Sequence, residues 1–481
     1  MSSTRKRTLV ILGAGGDLTS RLLLPGLGQL LSSGRGFELE LIGVDNAPMT
    51  DAAWRKRVTA SFTKGGAESS RVKDTIARSR YLHADATDAA ELERVLAECS
   101  NSPALYCALP PHVWEKTVDA LRTLELPAGL TLAVEKPFGT DLKSARVLNR
   151  KLEKLIPENR VQRVDHFLGK STVLNILGFR FANRIFEPVW NADNVERIEI
   201  CYDERLGLES RAGYYDKAGA MVDMIQSHLL QVLALVAMEP PSSIDADDLR
   251  GAMAQVLRAT KVWNNDPVNS SKRARYTAGT IGKRSFPAYA KEEGVDPSRK
   301  TETLAEVTFG IDNWRWSGVP FVLRSGKALG TATKSVTVTF KDVPHLPIGL
   351  KGQQRPAAIR IGLNPETLEL DLNINGAGSP FELDDIVLAA EFAEGDLDAY
   401  GEVLDGILDG DPSLSVRGDV AEECWRIIEP VSNAWTRNEV PLDSYAAGAD
   451  VPRSWRTAGR ALGVATEPTG RTGGAGRTGR K

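Results

Sequence analysis

The 481-residue chain is short of cysteine, of histidine, of long apolar runs and of net charge, and each shortage removes a class of function. Cys99, Cys107, Cys201 and Cys424 are its four cysteines. Their scatter matches neither a zinc site nor a disulfide scaffold and points to a reducing, cytoplasmic setting. The 60 basic and 63 acidic residues leave a formal charge of −3, so no global basic field attracts nucleic acid or an acidic membrane. Any anion site has to be local. No run approaches the roughly 18 consecutive apolar residues of a membrane span. The apolar run at 8–12 stops at Gly13, which reads as a buried strand and not a signal peptide. Five histidines, His83, His112, His166, His228 and His345, make a short list of candidate bases.

What is present is the balance of a soluble globular protein, 42% hydrophobic and 26% charged, long enough for two domains. Over the first 140 residues, apolar runs at 8–13, 37–45, 81–84, 104–109 and 130–136 alternate with helix-like stretches at 17–33, 51–62, 88–97 and 113–124. That order predicts an α/β, doubly wound, mostly parallel Rossmann sheet. Beyond about residue 150 the pattern changes. A helix at 171–184, a strand at 195–202 and a long apolar helix at 221–238 precede alternating runs at 336–340, 359–363 and 368–372. These predict an α+β domain with an antiparallel sheet facing helices. The expected division is 1–165, 166–465 and a disordered Gly-, Thr- and Arg-rich tail at 466–481, a basic arm being the alternative for that tail.

The run Leu9-Val10-Ile11-Leu12-Gly13-Ala14-Gly15-Gly16-Asp17-Leu18 is a strand entering a glycine turn and then a helix. Glycines let the backbone approach a pyrophosphate, and the helix N-terminus offers unpaired N–H groups. The spacing departs from the usual dinucleotide fingerprint, and an ordinary strand–helix turn is the alternative. The second strand ends in Gly43-Val44-Asp45, where a carboxylate accepts from the ribose hydroxyls of NAD and repels the 2′-phosphate of NADP. Asn46, Ala47 and Pro48 follow, with no arginine; Asp45 merely opening a turn is the competing reading. The expectation is NAD or NADP, with NAD favoured. Asn46 and Asp85 complete the candidate cofactor residues.

The densest chemistry lies in Arg163-Val164-Asp165-His166-Phe167-Leu168-Gly169-Lys170. His166 and Lys170, four apart, can converge on a phosphate dianion, and Asp165 can orient a second histidine. A structural loop is the alternative. His228 supplies context, on an apolar helix interrupted by Asp223 and Gln226, residues that are costly in a core unless satisfied or functional. A core histidine bonded to a carbonyl is the alternative; a general base is the chemical reading.

With these residues the chain resembles the glucose-6-phosphate dehydrogenase family from Val10 to about Trp455. The matching runs include Val134-Glu135-Lys136-Pro137-Phe138-Gly139, Arg163 to Lys170, Arg180-Phe181-Ala182-Asn183, Arg211-Ala212-Gly213-Tyr214-Tyr215-Asp216, Asp223 to Gln231, and Gly318-Val319-Pro320-Phe321-Val322-Leu323-Arg324-Ser325-Gly326-Lys327. The resemblance implies His228 as base, Asp165 as its partner, and His166 and Lys170 on the 6-phosphate. Lys136 would lie between sugar and nicotinamide, with Glu204 and Asp223 on sugar hydroxyls. Lys327 would belong to the sugar site, and Lys334, at altered spacing, is a further lysine there. It also implies a sugar phosphate substrate, no metal, and a homodimer or homotetramer formed through the second domain. Five departures stand out: Leu22 stands where the family often has a lysine, Phe167 replaces a tyrosine, Ser171 a common glutamate, Ser227 a common asparagine, and Val44-Asp45-Asn46 the small residue, alanine and arginine that favour NADP. Fewer phosphate donors leave two other readings open: a dehydrogenase of another hexose or sugar acid, or a catalytically poor regulatory paralogue.

Overall fold

Continuously apolar strands can be buried on both faces, and those of the N-terminal part pair accordingly. In the computed structural model, β1 (Arg5–Leu12), β2 (Phe37–Asp45), β3 (Arg80–His83), β4 (Pro103–Cys107), β5 (Thr131–Glu135) and β6 (Val161–Val164) form one sheet in the order β3-β2-β1-β4-β5-β6. Every pairing in it is parallel. The order reverses between β1 and β4, which opens a crevice beyond the strand ends. The glycine turn lies there. The structure describes residues 5–455 except 36, 210–211, 353, 377, 379 and 393–394, so the expected tail at 466–481 and Arg211 lie outside the described residues.

The sixth strand was not among the predicted ones. Its Gln162 and Arg163 are buried, Arg163 being held by Glu158 and Asn149, so no apolar run announces it.

The second sheet has ten strands; the runs expected to pair antiparallel do so, and two further pairs are parallel. Val195–Asp203 runs parallel to Phe321–Gly326, and Ser271–Thr277 runs parallel to Leu442–Ala446. The strands Lys334–Phe340, Ala358–Gly362, Thr367–Asn375 and Leu383–Glu391 continue antiparallel to one edge. The core beneath this sheet joins Ile198, Ile200, Leu323, Val336 and Val338 to the apolar face of Leu229, Leu233 and Val236.

Two predicted helices contain a wider turn. The segment expected as a helix at 17–33 is a π-helix over Thr19–Leu23 followed by an α-helix over Leu24–Ser32. The helix expected at 221–238 is a π-helix over Met221–Leu229 and an α-helix over Leu230–Ala237. An extra residue per turn re-aims side chains and recurs at functional sites. The whole helical run Ala212–Ala237 is long and apolar enough to cross a membrane, which amends the sequence reading, but 89% of its most apolar window is buried in the protein. It is a core helix.

The chain then returns to its beginning. Tyr400, Val403, Leu404 and Ile407, on the helix Ala399–Asp409, complete the core that Leu23, Leu27 and Trp54 start.

Candidate active site

The parallel sheet delivers its functional side chains at the C-terminal strand ends. Lys136 directly follows β5 and Asp165 directly follows β6. The imidazole they meet comes from the π-helix of the second sheet layer. Asp165 Oδ1 lies 2.5 Å from His228 Nδ1, and it also accepts from the Phe167 N–H at 2.9 Å. Both residues are buried, at 2% and 1% exposure. An ionised carboxylate only accepts, so Nδ1 carries the proton and Nε2 presents its lone pair. Lys136 Nζ donates to that nitrogen at 2.7 Å and to the Asp223 carbonyl at 2.8 Å; Ser227 Oγ is 3.3 Å away. Burial raises the Asp165 carboxyl above its ordinary range, opposed by the neighbouring cations. Its Oδ2 has no hydrogen-bond partner among the described residues.

Aromatic rings hold the imidazole on two sides. Phe167 stacks on it with ring centres 4.3 Å apart, and His166 meets it edge-on at 4.8 Å. His166 in turn stacks on Tyr400 at 5.6 Å. Burial, then the neighbouring His228, hold His166 well below the usual imidazole range and so neutral. A cavity of about 20 Å³ reaches Lys136, Asp165 and Ser227.

The remaining predicted substrate residues gather on one flank. Lys170 Nζ lies 3.3 Å from the Tyr202 hydroxyl and 3.9 Å from the Phe167 ring centre. Lys334 Nζ lies 4.8 Å from the Tyr202 ring. Burial, and secondly the charge of Lys334, bring Lys170 down to about 8. Lys327 pairs with Glu204 at 2.6 Å. Tyr202 escaped the sequence reading because a tyrosine at a strand end resembles any other core aromatic.

The same holds for a second carboxylate. Glu135 accepts from the Tyr106 hydroxyl at 2.5 Å and from Tyr400 at 3.5 Å. Burial raises it to about 7. It lies inside the quoted Glu-Lys-Pro run, but nothing there separates it from a solvated strand end.

At the other end of the crevice, Gly13 has φ of +90°, and an added Cβ would meet the Ala108 carbonyl oxygen at 2.3 Å. Only glycine fits. Gly13 and Ala14 donate to the Val44 carbonyl at 2.8 and 3.0 Å, Gly16 to that of Gly13, and Gly15 to Asp45 Oδ2 at 2.8 Å. Leu18 packs on the sheet core and Asp17 pairs with Arg21 at the surface. The Asn46 carbonyl lies 3.0 Å from His83 Nε2. Asp85 follows Ala84, whose N–H donates to the Asp45 carbonyl at 3.0 Å, and its own carboxylate accepts from the backbone and hydroxyl of Thr87. A turn closed to side chains, at the switch point of the sheet and beside a carboxylate ending β2, fits a nicotinamide dinucleotide.

The ligand-type atoms of Asp165, His166 and His228 lie within 4.8 Å of one another, a spacing that metals also accept. Here the ammonium of Lys136 occupies the His228 lone pair, which disfavours a cation at that nitrogen.

A Rossmann sheet and a mixed-sheet layer meeting at an aspartate–histidine pair define a two-part nicotinamide-dependent dehydrogenase. Residues 10–175 match the family described as glucose-6-phosphate dehydrogenase, NAD binding domain, and residues 177–461 match its C-terminal domain. The chain belongs to the glucose-6-phosphate dehydrogenase family. It is 36% identical to glucose-6-phosphate 1-dehydrogenase of Treponema pallidum, over 93% of this chain and 92% of that one. The enzyme of the same name from Rhizobium meliloti is 34% identical, over 91% and 93%. Among solved structures, glucose-6-phosphate 1-dehydrogenase from Mycobacterium avium superposes with a TM-score of 0.81 at 32% identity, over 93% and 96%. A glucose-6-phosphate dehydrogenase in complex with its substrate glucose-6-phosphate gives 0.84 at 28%, over 94% and 97%.

Proposed function

We propose that the protein oxidises C1 of D-glucose 6-phosphate to 6-phosphoglucono-1,5-lactone. The observation that carries this is the Asp165–His228 pair beside the loop bearing His166 and Lys170. His228 Nε2 takes the proton of the C1 hydroxyl, and Asp165 stabilises the imidazolium that forms. Lys136 gives up its bond to Nε2 as the hydroxyl arrives and then lies between sugar and nicotinamide. His166 and Lys170 hold the 6-phosphate, Glu204 and Asp223 take sugar hydroxyls, and Lys327 and Lys334 add positive charge to the site. A dinucleotide held at the turn Gly13 to Leu18 and by Asp45 would supply the acceptor for the hydride that leaves C1. The chain's own part is to position and to stabilise developing charge.

NAD is the favoured cofactor, with NADP as the second. Asp45, tied to the Gly15 N–H at the end of β2, supports this, as does the lack of arginine at 46–48. A homodimer or homotetramer through the second sheet is supported by exposed Leu372, Ile374, Val387 and Leu388 on its last two strands at one edge. Four thiols without a disulfide support a reducing cytoplasm.

Initial rates with glucose 6-phosphate and with glucose, against both cofactors, test the reading. The phosphate ester is expected to be far the better substrate in kcat/KM. Equal values for the two sugars would remove His166 and Lys170 from their roles.

A further inference from the structure

The arginine missing after Asp45 arrives from elsewhere. Arg57, on the helix Asp51–Lys64, donates through Nη2 to the carbonyls of Gly15 at 2.6 Å and Gly16 at 2.9 Å. The N–H of the same Gly15 is held by Asp45. One residue of the turn therefore carries the carboxylate on its N–H and the guanidinium on its carbonyl. Asp45 is engaged on both oxygens, Oδ2 by Gly15 and Oδ1 by the Ala47 N–H. Arg57 is not fully used. Its Nε is buried and has no hydrogen-bond partner among the described residues. A buried donor without an acceptor is costly unless something fills the place.

A guanidinium is a planar fork suited to a phosphate, and a phosphate bonded to it would be partly shielded from the carboxylate nearby. We infer that Arg57 receives the 2′-phosphate of NADP, so that one turn serves both dinucleotides: Asp45 for a ribose diol, Arg57 for a ribose 2′-phosphate. The inference rests on the reading of Gly13 to Leu18 as the cofactor turn.

Two probes that differ only in that phosphate separate the two ideas: ADP-ribose and 2′-phospho-ADP-ribose, titrated calorimetrically into the whole chain and into Arg57→Gln. Beyond whatever the lost bonds to the turn cost both probes, the variant is expected to bind the 2′-phosphorylated probe about ten- to hundredfold more weakly, as for a lost charge-assisted pair. Arg57→Lys, which keeps charge without the fork, should recover part of the loss. KM for NADP should rise in the variant by more than that for NAD. Equal weakening of both probes would make Arg57 a brace of the turn and overturn the inference, as would no change in either. Unaltered protein that binds ADP-ribose but not its phosphorylated form overturns the inference alone. Protein that binds neither overturns the cofactor turn with it.

Discussion

Lys136 Nζ sits 2.7 Å from Nε2 of His228, on the side of the ring away from Asp165. The two residues are 92 positions apart, brought together because β5 ends opposite the π-helix. A base needs that lone pair, so the ammonium marks the place where a substrate hydroxyl must bond.

Removing the base gives the plainest outcome. His228→Asn should lower kcat by around 10²–10⁴-fold while leaving KM for the sugar phosphate nearly unchanged. Asp165→Asn should produce a comparable fall, because an amide facing Nδ1 favours the tautomer whose Nε2 carries the proton. Steady-state kinetics decide, and near-normal kcat in His228→Asn would rule it out as the base.

Lys170 should give KM a pH dependence. Lowered to about 8 by burial and by Lys334, it is charged below that pH and loses its proton above it. Its grip on phosphate is therefore present below about 8 and lost as pH rises through it, so KM for glucose 6-phosphate should climb there with kcat less affected. Lys334→Gln removes the like charge and should move the break to higher pH. A KM flat from pH 7 to 9.5 would contradict the placement of Lys170 on the phosphate.

Phe167 lacks the hydroxyl expected at its position, but Tyr202 places one 3.3 Å from Lys170 Nζ, from the strand Val195–Asp203. Tyr202→Phe should raise KM for the sugar phosphate about two- to tenfold, the worth of one hydrogen bond, with little change in kcat. An unchanged KM would leave Tyr202 as packing only.

Glu135 titrates near neutrality in the fold, raised by burial from an ordinary 4.5 to about 7. A raised carboxyl favours the folded state while protonated. Its contribution is full below the unfolded value and lost as pH rises through 7. Glu135→Gln keeps an acceptor for Tyr106 but removes the charge, so melting curves between pH 5 and 8 should fall less steeply for the variant, which melts higher at pH 8. Parallel curves for the two proteins would show that the carboxyl does not titrate there.

Much of the architecture is local in origin and therefore legible in the sequence. Strands buried on both faces have to be continuously apolar, so β1 to β5 and the alternation with helices declare the parallel sheet. Gly13 declares its turn because no other residue fits against the Ala108 carbonyl. The Asp165–His166–Lys170 loop and His228 are visible as polar residues in apolar surroundings. β6 is not, because its buried Gln162 and Arg163 break the apolar run, and what holds Arg163, namely Asn149, Glu158 and Ser415, lies outside the strand. Nor are the π-turns, which keep the apolar spacing of ordinary helices while shifting what each side chain faces.

The sequence by itself determined the sheet class, the glycine turn and which residue types could do chemistry, since each depends on neighbours within a turn or a strand. Tertiary structure alone decided which of them meet: Lys136 with His228, Tyr202 with Lys170, Tyr400 with His166 and Arg57 with Gly15. Those contacts join residues from separate elements, and their distances follow from how whole layers pack, a quantity that no local pattern encodes.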